Sequence, residues 1–588
     1  MSGDRKHPLR LLVTLTAVAA FLGASAQAQQ KASRPGVYEG YATAAYDGSQ
    51  RSSFYVTARD GTRLAVDLFR PTRGGVVASE KLPVVWMHTP YNRRTYAGGP
   101  TVERYPGFAL QLVKYGYNVA VVDFRGLYAS FGQNKGYNRG EWRDPAHYDA
   151  YDVTEWFARQ DWSNGRVGMW GCSATGGSQM QAATTRPPSL KAIMPMSAEF
   201  DAYPFAALGG VSRGPVGAPN QGPGDPNAAR DAQAVAVDGP DGADLLAQAI
   251  AEHRSNADSP GLLPFRDSVS SVVGAPWWVK SSPSTWLADL KASGIGVYAV
   301  ANWDEAGTRH GAFFNFRNLG ETQAKLLVGP ATHCAWTAVK EQTGFQIVTE
   351  ELRFYDYWLK GVKNGVMNEP AVTYFTYNAP ADKAWRKAKA WPLPNEARTD
   401  YYLGHGSLDR TKPAGAGRDE VAMSTPAPAA ATQINSPAGG WNYETAPFTA
   451  DLEVTGHPVM HLWVETGAGD ADVMARLEDV APDGKAVSYQ MIGRLRASHR
   501  ALAQAPYDTM GLPWHTYRQA DAQPLAAGQP AELTFDLLPM SYIFKAGHRL
   551  RLNITFTDPQ TRPNAPGVTV LRSVAAPSRL TLPVIPAR

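Results

Sequence analysis

At 588 residues and 63.6 kDa the chain is too long for one hydrophobic core, so two or three domains are expected. A hydrophobic content of 44% and an aromatic content of 11%, with 16 Trp, exclude a disordered chain. The net charge of +4 comes without a long basic run, so nothing points to a nucleic-acid partner.

Arg5, Lys6 and Arg10 precede the apolar run LLVTLTAVAAFLGA, and Ala26-Gln27-Ala28 follows as a small-x-small cleavage motif. This predicts a signal peptide over residues 1–28 and a secreted or periplasmic mature protein. The run is shorter than the ~20 apolar residues a membrane span needs. No later segment is long and apolar enough either, so no span is expected after signal removal.

Next, SSFYVTARDGTRLAVDLFRP (52–71) alternates around Asp60-Gly61, a hairpin signal. Strand-like runs then alternate with helical stretches as far as LKAIMPMS, the pattern of a parallel α/β sheet with crossover helices. Gly, Pro and Asp cluster over 209–242 and short helical pieces follow, before the strand pattern resumes at IGVYAVANWD. The expected organisation is an α/β domain over 29–200 and 291–388, interrupted by a helical cap over 201–290. Short strands and turns over 389–588 predict a β-sandwich of jelly-roll type. Within it, the Pro/Ala-rich 412–440 stretch reads as a long loop.

The stretch GCSATGG (171–177) ends a strand-like run and begins a helix-like one. That is the setting of a nucleophile elbow, in which a serine sits on a strained strand-to-helix turn flanked by small residues. Ser173 is the candidate nucleophile, although the second glycine falls one residue late, at Gly176. Asp304 and His333 each end a later strand-like run, giving the order serine, acid, histidine of α/β-hydrolases. The acid would orient the imidazole, and the imidazole would shuttle the serine proton.

Several segments together resemble the cocaine esterase, α-amino acid ester hydrolase and X-Pro dipeptidyl peptidase group of serine hydrolases. They are HTPYNR, VVDFRGLYAS, WFARQDWSNGRVGMWGCS, ANWD, VGPATH, AGHRLRLNI and SRLTLPVI. The group's elbow is Gly-x-Ser-Tyr-x-Gly, which accounts for the late glycine. The resemblance implies that Tyr91 donates its hydroxyl to an oxyanion hole beside the backbone N–H of Ala174. It also implies an α/β-hydrolase core with a cap and a C-terminal jelly roll. Ala174 stands where the group has tyrosine, so a side chain is missing from the pocket wall. Ala306 and Gly307 stand where the amino-acid ester hydrolases carry carboxylates for a substrate ammonium, taking Asp304 as the acid, with Glu305 merely adjacent. That weakens aminoacyl substrates.

The only two cysteines flank the candidate residues, Cys172 before Ser173 and Cys334 after His333. The same Cys-Ser, Asp, His-Cys arrangement resembles the tannase and feruloyl esterase family, which implies a Cys172–Cys334 disulfide; two buried thiols are the other reading. No cofactor fingerprint or metal-ligand spacing is present, so no cofactor and no metal are expected. The expected function is cleavage of a small-molecule carboxylic ester through an acyl-enzyme on Ser173. The alternatives are an amidase or peptidase of the β-lactam acylase or X-Pro type, and a non-catalytic carbohydrate-binding protein. Homo-oligomerisation is left open.

Overall fold

The computed structural model describes residues 31–96, 109–135, 142, 144–211, 226–257, 263–305, 307–423, 440–489, 491–560 and 564–586, together with Met1 and Gly3. The apolar run and cleavage motif of the expected signal peptide lie outside them, as do residues 424–439 of the Pro/Ala-rich stretch.

Ten strands form one path across the central sheet. In chain order they are β1 (Gly48–Thr57), β2 (Arg63–Arg73), β3 (Leu82–Thr89), β4 (Asn118–Asp123), β5 (Ser163–Cys172), β6 (Leu190–Met196), β7 (Gly296–Asp304), β8 (Ala324–Thr332), β9 (Val372–Phe375) and β10 (Trp385–Ala388). Their spatial order is β10-β9-β8-β7-β6-β5-β3-β4-β2-β1. The seven strands from β9 to β4 pair in parallel, while β1–β2, β2–β4 and β9–β10 are antiparallel. The Asp60-Gly61 hairpin forms because Gly61 accepts φ +87°, a conformation open to glycine without steric cost.

The central strands are apolar on both faces, as parallel strands covered by helices must be. In β3, Val84 and Trp86 join one buried cluster while Val85 and Met87 join the other; β7 splits in the same way, Ala299 and Ala301 against Tyr298 and Val300. Helix α1 (Asp149–Ala158) covers the first face with Val153 and Phe157. Three further helices matter below: α2 (Ala174–Thr184), α3 (Gly307–Leu319) and α4 (Ile347–Lys360), the last covering the second face with Phe354, Tyr355 and Leu359.

Short helices at Ala202–Ala206, Pro226–Asp231, Gly242–Glu252, Trp277–Lys280 and Leu287–Ser293 form the insertion between β6 and β7. From Ala397 onward the described strands form two antiparallel sheets, one built around Val459–Thr466 and Arg579–Ile585, the other around Asp472–Val480 and Arg549–Thr557. Their buried side chains, among them Met460, Leu477, Leu552 and Leu580, belong to the same apolar cluster as Trp86, Ala299 and Trp277. The α/β sheet, the insertion and the β-sandwich therefore share one continuous core.

One buried charge cluster anchors the loop after β3. Arg93 is fully buried; its Nε donates to Asp67 (3.1 Å), its Nη1 to Asp123 (2.9 Å) and its Nη2 to the Val235 carbonyl (2.7 Å), while its backbone N–H donates to Asp123 (2.5 Å). Burial pushes the Asp123 carboxyl above its ordinary range, against the opposing pull of Arg93. Removing one member of such a cluster leaves buried charge unpaired, which costs about 3–5 kcal/mol. Arg93→Met is therefore expected to lower the unfolding free energy by that amount, read as a shifted midpoint in chemical denaturation.

Candidate active site

Strand β5 ends at Cys172 and α2 begins at Ala174, leaving Ser173 between them at φ 64°, ψ −127°. This left-handed backbone costs a non-glycine residue on the order of 1–3 kcal/mol, so the surroundings must hold it. The Ser173 N–H donates to the Met196 carbonyl at the end of β6 (3.0 Å), and the Ser173 carbonyl accepts from Gly176 and Gly177 (2.8 and 2.9 Å). A Cβ on Gly171 would lie 2.4 Å from Thr175 Oγ1, and one on Gly176 would lie 2.4 Å from the Met196 carbonyl oxygen. Both glycines are thus sterically required, and the required second position is 176. Beneath the turn, the buried Gln179 amide donates to the carbonyls of Gly171 (3.1 Å) and Met194 (3.3 Å) and accepts from the Met194 N–H (2.9 Å). It thereby ties the ends of β5 and β6 together.

The partner of His333 is a correction to the sequence expectation. Nδ1 of His333 lies 2.6 Å from Glu305 Oε2, and Asp304 makes no such contact. Glu305 is buried; its Oε1 accepts the Asn302 N–H (2.8 Å) and its Oε2 also accepts the Thr308 hydroxyl (2.9 Å). A carboxylate satisfied in this way holds the proton on Nδ1 and leaves Nε2 as the basic nitrogen. His333 itself keeps 43% of its side chain exposed.

Asp304 faces elsewhere. Its carboxyl is raised by burial, with Arg309 opposing, and it acts electrostatically on Tyr377 and Tyr489, two stacked rings 4.2 Å apart. The physical reason lies in the pairing of β7 with β8, which is regular up to Asn302–Gly329 and resumes at Asp304–Thr332, so that β8 holds one extra residue. Beyond that irregularity, strand alternation no longer predicts which of two adjacent carboxylates meets the imidazole. The Asp-Glu dipeptide was the available signal.

Tyr91 lies two residues beyond β3, with its N–H donated to Thr89 Oγ1 (3.0 Å) and its half-buried ring packed on the cluster that contains Cys172 and Cys334. Ala174 is the first residue of α2, where the N–H has no acceptor within the helix. Cys172 and Cys334 form a disulfide with Cα atoms 6.0 Å apart. It joins the residue before Ser173 to the residue after His333, across 162 positions of sequence. Ala306 lies outside the described residues, and Gly307 opens α3. No cluster of three or more His, Cys, Asp or Glu fit for a metal occurs among the described residues, and no described helix is long and apolar enough to cross a membrane.

Comparison with known proteins gives a consistent set. The X-Pro dipeptidyl-peptidase (S15 family) pattern matches residues 60–335, and the X-Pro dipeptidyl-peptidase C-terminal non-catalytic domain matches 364–578. A Mycobacterium bovis protein named as a serine esterase is 32% identical over 617 aligned positions, covering 92% of this chain and 96% of that one. The cocaine esterase of a Rhodococcus strain is 27% identical over 582 positions, covering 86% and 90%. Among solved structures, a CocE/NonD family hydrolase from Staphylococcus aureus superposes with a TM-score of 0.69 at 22% identity, covering 92% of this chain and 97% of that one. An α-amino acid ester hydrolase gives 0.67 at 20%, covering 92% and 98%. These two structures establish the shared fold.

Two outcomes follow from the geometry. Glu305→Gln is expected to lower kcat toward p-nitrophenyl acetate by roughly 10²–10⁴-fold, whereas Asp304→Asn costs less than about tenfold; steady-state kinetics on the two variants reads the difference. Thiol titration of the denatured, unreduced protein is expected to find no free cysteine, and Cys172→Ser with Cys334→Ser to lose up to about 5 kcal/mol of stability in the chain-entropy limit.

Proposed function

The chain belongs to the S15 peptidase family of serine α/β-hydrolases, and from that premise we propose that it hydrolyses carboxylic esters through an acyl-enzyme on Ser173. The observation that carries the reading is the His333–Glu305 contact, joined by the disulfide to the strained Ser173 turn. His333 Nε2 takes the Ser173 proton as Oγ attacks the ester carbonyl. The imidazolium that forms is stabilised by Glu305 and then protonates the leaving alcohol. The Ala174 N–H and the Tyr91 hydroxyl receive the developing oxyanion, a role in which one donor contributes on the order of 10²–10³ in rate. Water, activated by the same histidine, releases the acid.

The substrate is a small ester, with matched amides as the competing class. Ala174 leaves the site without the bulk of a tyrosine, and Gly307 and Thr308, the second and third residues after Glu305, supply no carboxylate that would favour an aminoacyl group, which supports esters over peptides. The basic and apolar N-terminus followed by Ala26-Gln27-Ala28 supports export to the periplasm or beyond, where a disulfide persists.

A fluorophosphonate probe tests the nucleophile: it is expected to label the wild type once and to leave Ser173→Ala unlabelled. Absence of wild-type labelling, or undiminished labelling of the variant, removes the catalytic reading. Tyr91→Phe is expected to lower kcat by about 10²-fold with little change in melting temperature. A panel of matched p-nitrophenyl esters and anilides, with activity on esters alone, separates the two substrate classes.

A further inference from the structure

Asn302 is the last residue of β7 to pair with β8 before the irregularity in their register, and it is fully buried. Its side-chain amide reaches past that irregularity. Nδ2 donates to the Thr332 carbonyl (2.9 Å), while Oδ1 is buried and has no hydrogen-bond partner among the described residues. Gly329, opposite in the ladder, makes the room: a Cβ there would lie 2.6 Å from Asn302 Oδ1. A buried acceptor left unpaired costs about 1–3 kcal/mol, and an apolar side chain of similar size avoids that cost. Stability therefore does not account for an amide at this position.

What the amide holds is the turn that carries His333. The Thr332 carbonyl also accepts the Ala335 N–H (3.1 Å), closing a tight turn in which Cys334 takes φ 62°. The disulfide fixes the residue after His333, and the Asn302 amide fixes the residue before it. The same residue reaches Glu305, because the Asn302 backbone N–H donates to Glu305 Oε1 (2.8 Å). Asn302 is thereby bonded to both sides of the 2.6 Å contact between His333 and Glu305. Glu305 is the charged group that His333 meets, and the Thr308 hydroxyl lies 3.5 Å from the same imidazole nitrogen. Arg309 of α3 is set against Glu305 and Asp304 together.

We propose that Asn302 is a positioning residue for the hydrolysis, its side-chain amide holding His333 in register with Glu305. The inference rests on the acyl-enzyme reading of Ser173, His333 and Glu305. It gives Asn302 no contact with the substrate, so loss of the amide falls on the chemical step and spares binding.

Hydrolysis of p-nitrophenyl acetate by the full mature chain, followed across pH, tests it. Asn302→Leu keeps the size and the backbone N–H and removes the bond to Thr332. It is expected to lower kcat at least about tenfold and to leave KM within about twofold. Its melting temperature is expected to stay at or above that of the wild type, since the unpaired Oδ1 goes with the amide. The acid limb of kcat/KM against pH is expected to move down by about half a pH unit or more, because an imidazolium held less closely by Glu305 is less stabilised. A folded Asn302→Leu with wild-type kcat overturns the proposal. A fall in kcat with the acid limb unmoved overturns it too, since that marks a purely structural role. Should the leucine variant not fold, Asn302→Ala decides on the same two readouts. A wild type that does not hydrolyse the ester ends the acyl-enzyme reading and this inference with it, whereas an active wild type beside an unaffected variant ends this inference alone.

Discussion

The approach of α2 to the end of β6 governs the rest of the site. With the Met196 carbonyl in the place where a Cβ at position 176 would sit, the helix starts closer to the sheet than any side chain permits. Ser173 must then turn through φ 64° to connect strand and helix. A turn this tight would relax if its ends were free. It is held by the Ser173–Met196 backbone bond, by the Gln179 amide bridging two strands, and by a covalent bond from Cys172 to the loop carrying His333. Local strain at Ser173 is thus sustained by the adjacent ends of parallel strands.

The same sheet explains why the functional groups converge. Parallel strands all present their C-terminal ends along one edge, so residues following β3, β5, β7 and β8 meet there although 242 positions separate Tyr91 from His333. Their supports are of different kinds. The Tyr91 loop is fixed by a buried cation, Arg93, shared between Asp67 and Asp123. The His333 loop is fixed by a disulfide and by Glu305. A cation with two carboxylates depends on remaining dry, whereas the covalent link tolerates the partial exposure that His333 requires.

Legibility in the sequence followed the range of the interactions. The alternation of strands and helices, the insertion after LKAIMPMS and the β-rich C-terminal region were readable because each is a local pattern of apolar spacing or turn residues. The strand-to-helix turn at Ser173 and the place of His333 just after β8 were readable because each closes a strand-like run, and the Cys172–Cys334 bond because the cysteines flank them. The acid was not. Asp304 and Glu305 are adjacent carboxylates at one strand end, and the extra residue that decides between them lies in β8, some 25 positions away.

That choice between two acids gives each carboxylate a different task. Glu305, with a longer side chain, reaches the imidazole from beyond the β7–β8 irregularity and still returns an oxygen to the Asn302 N–H, so its carboxylate is anchored to the strand it has just left. Asp304 remains within the strand and turns its charge toward Arg309 and the stacked pair Tyr377 and Tyr489, the last of which belongs to the β-sandwich. Arg309 Nη1 also donates to the Tyr489 carbonyl (3.4 Å). One dipeptide therefore sends one carboxylate to the histidine and the other to the contact between domains. The β-sandwich is in this way part of what fixes the end of β7, and the position of Glu305 depends on a domain that contributes none of Ser173, His333 and Glu305.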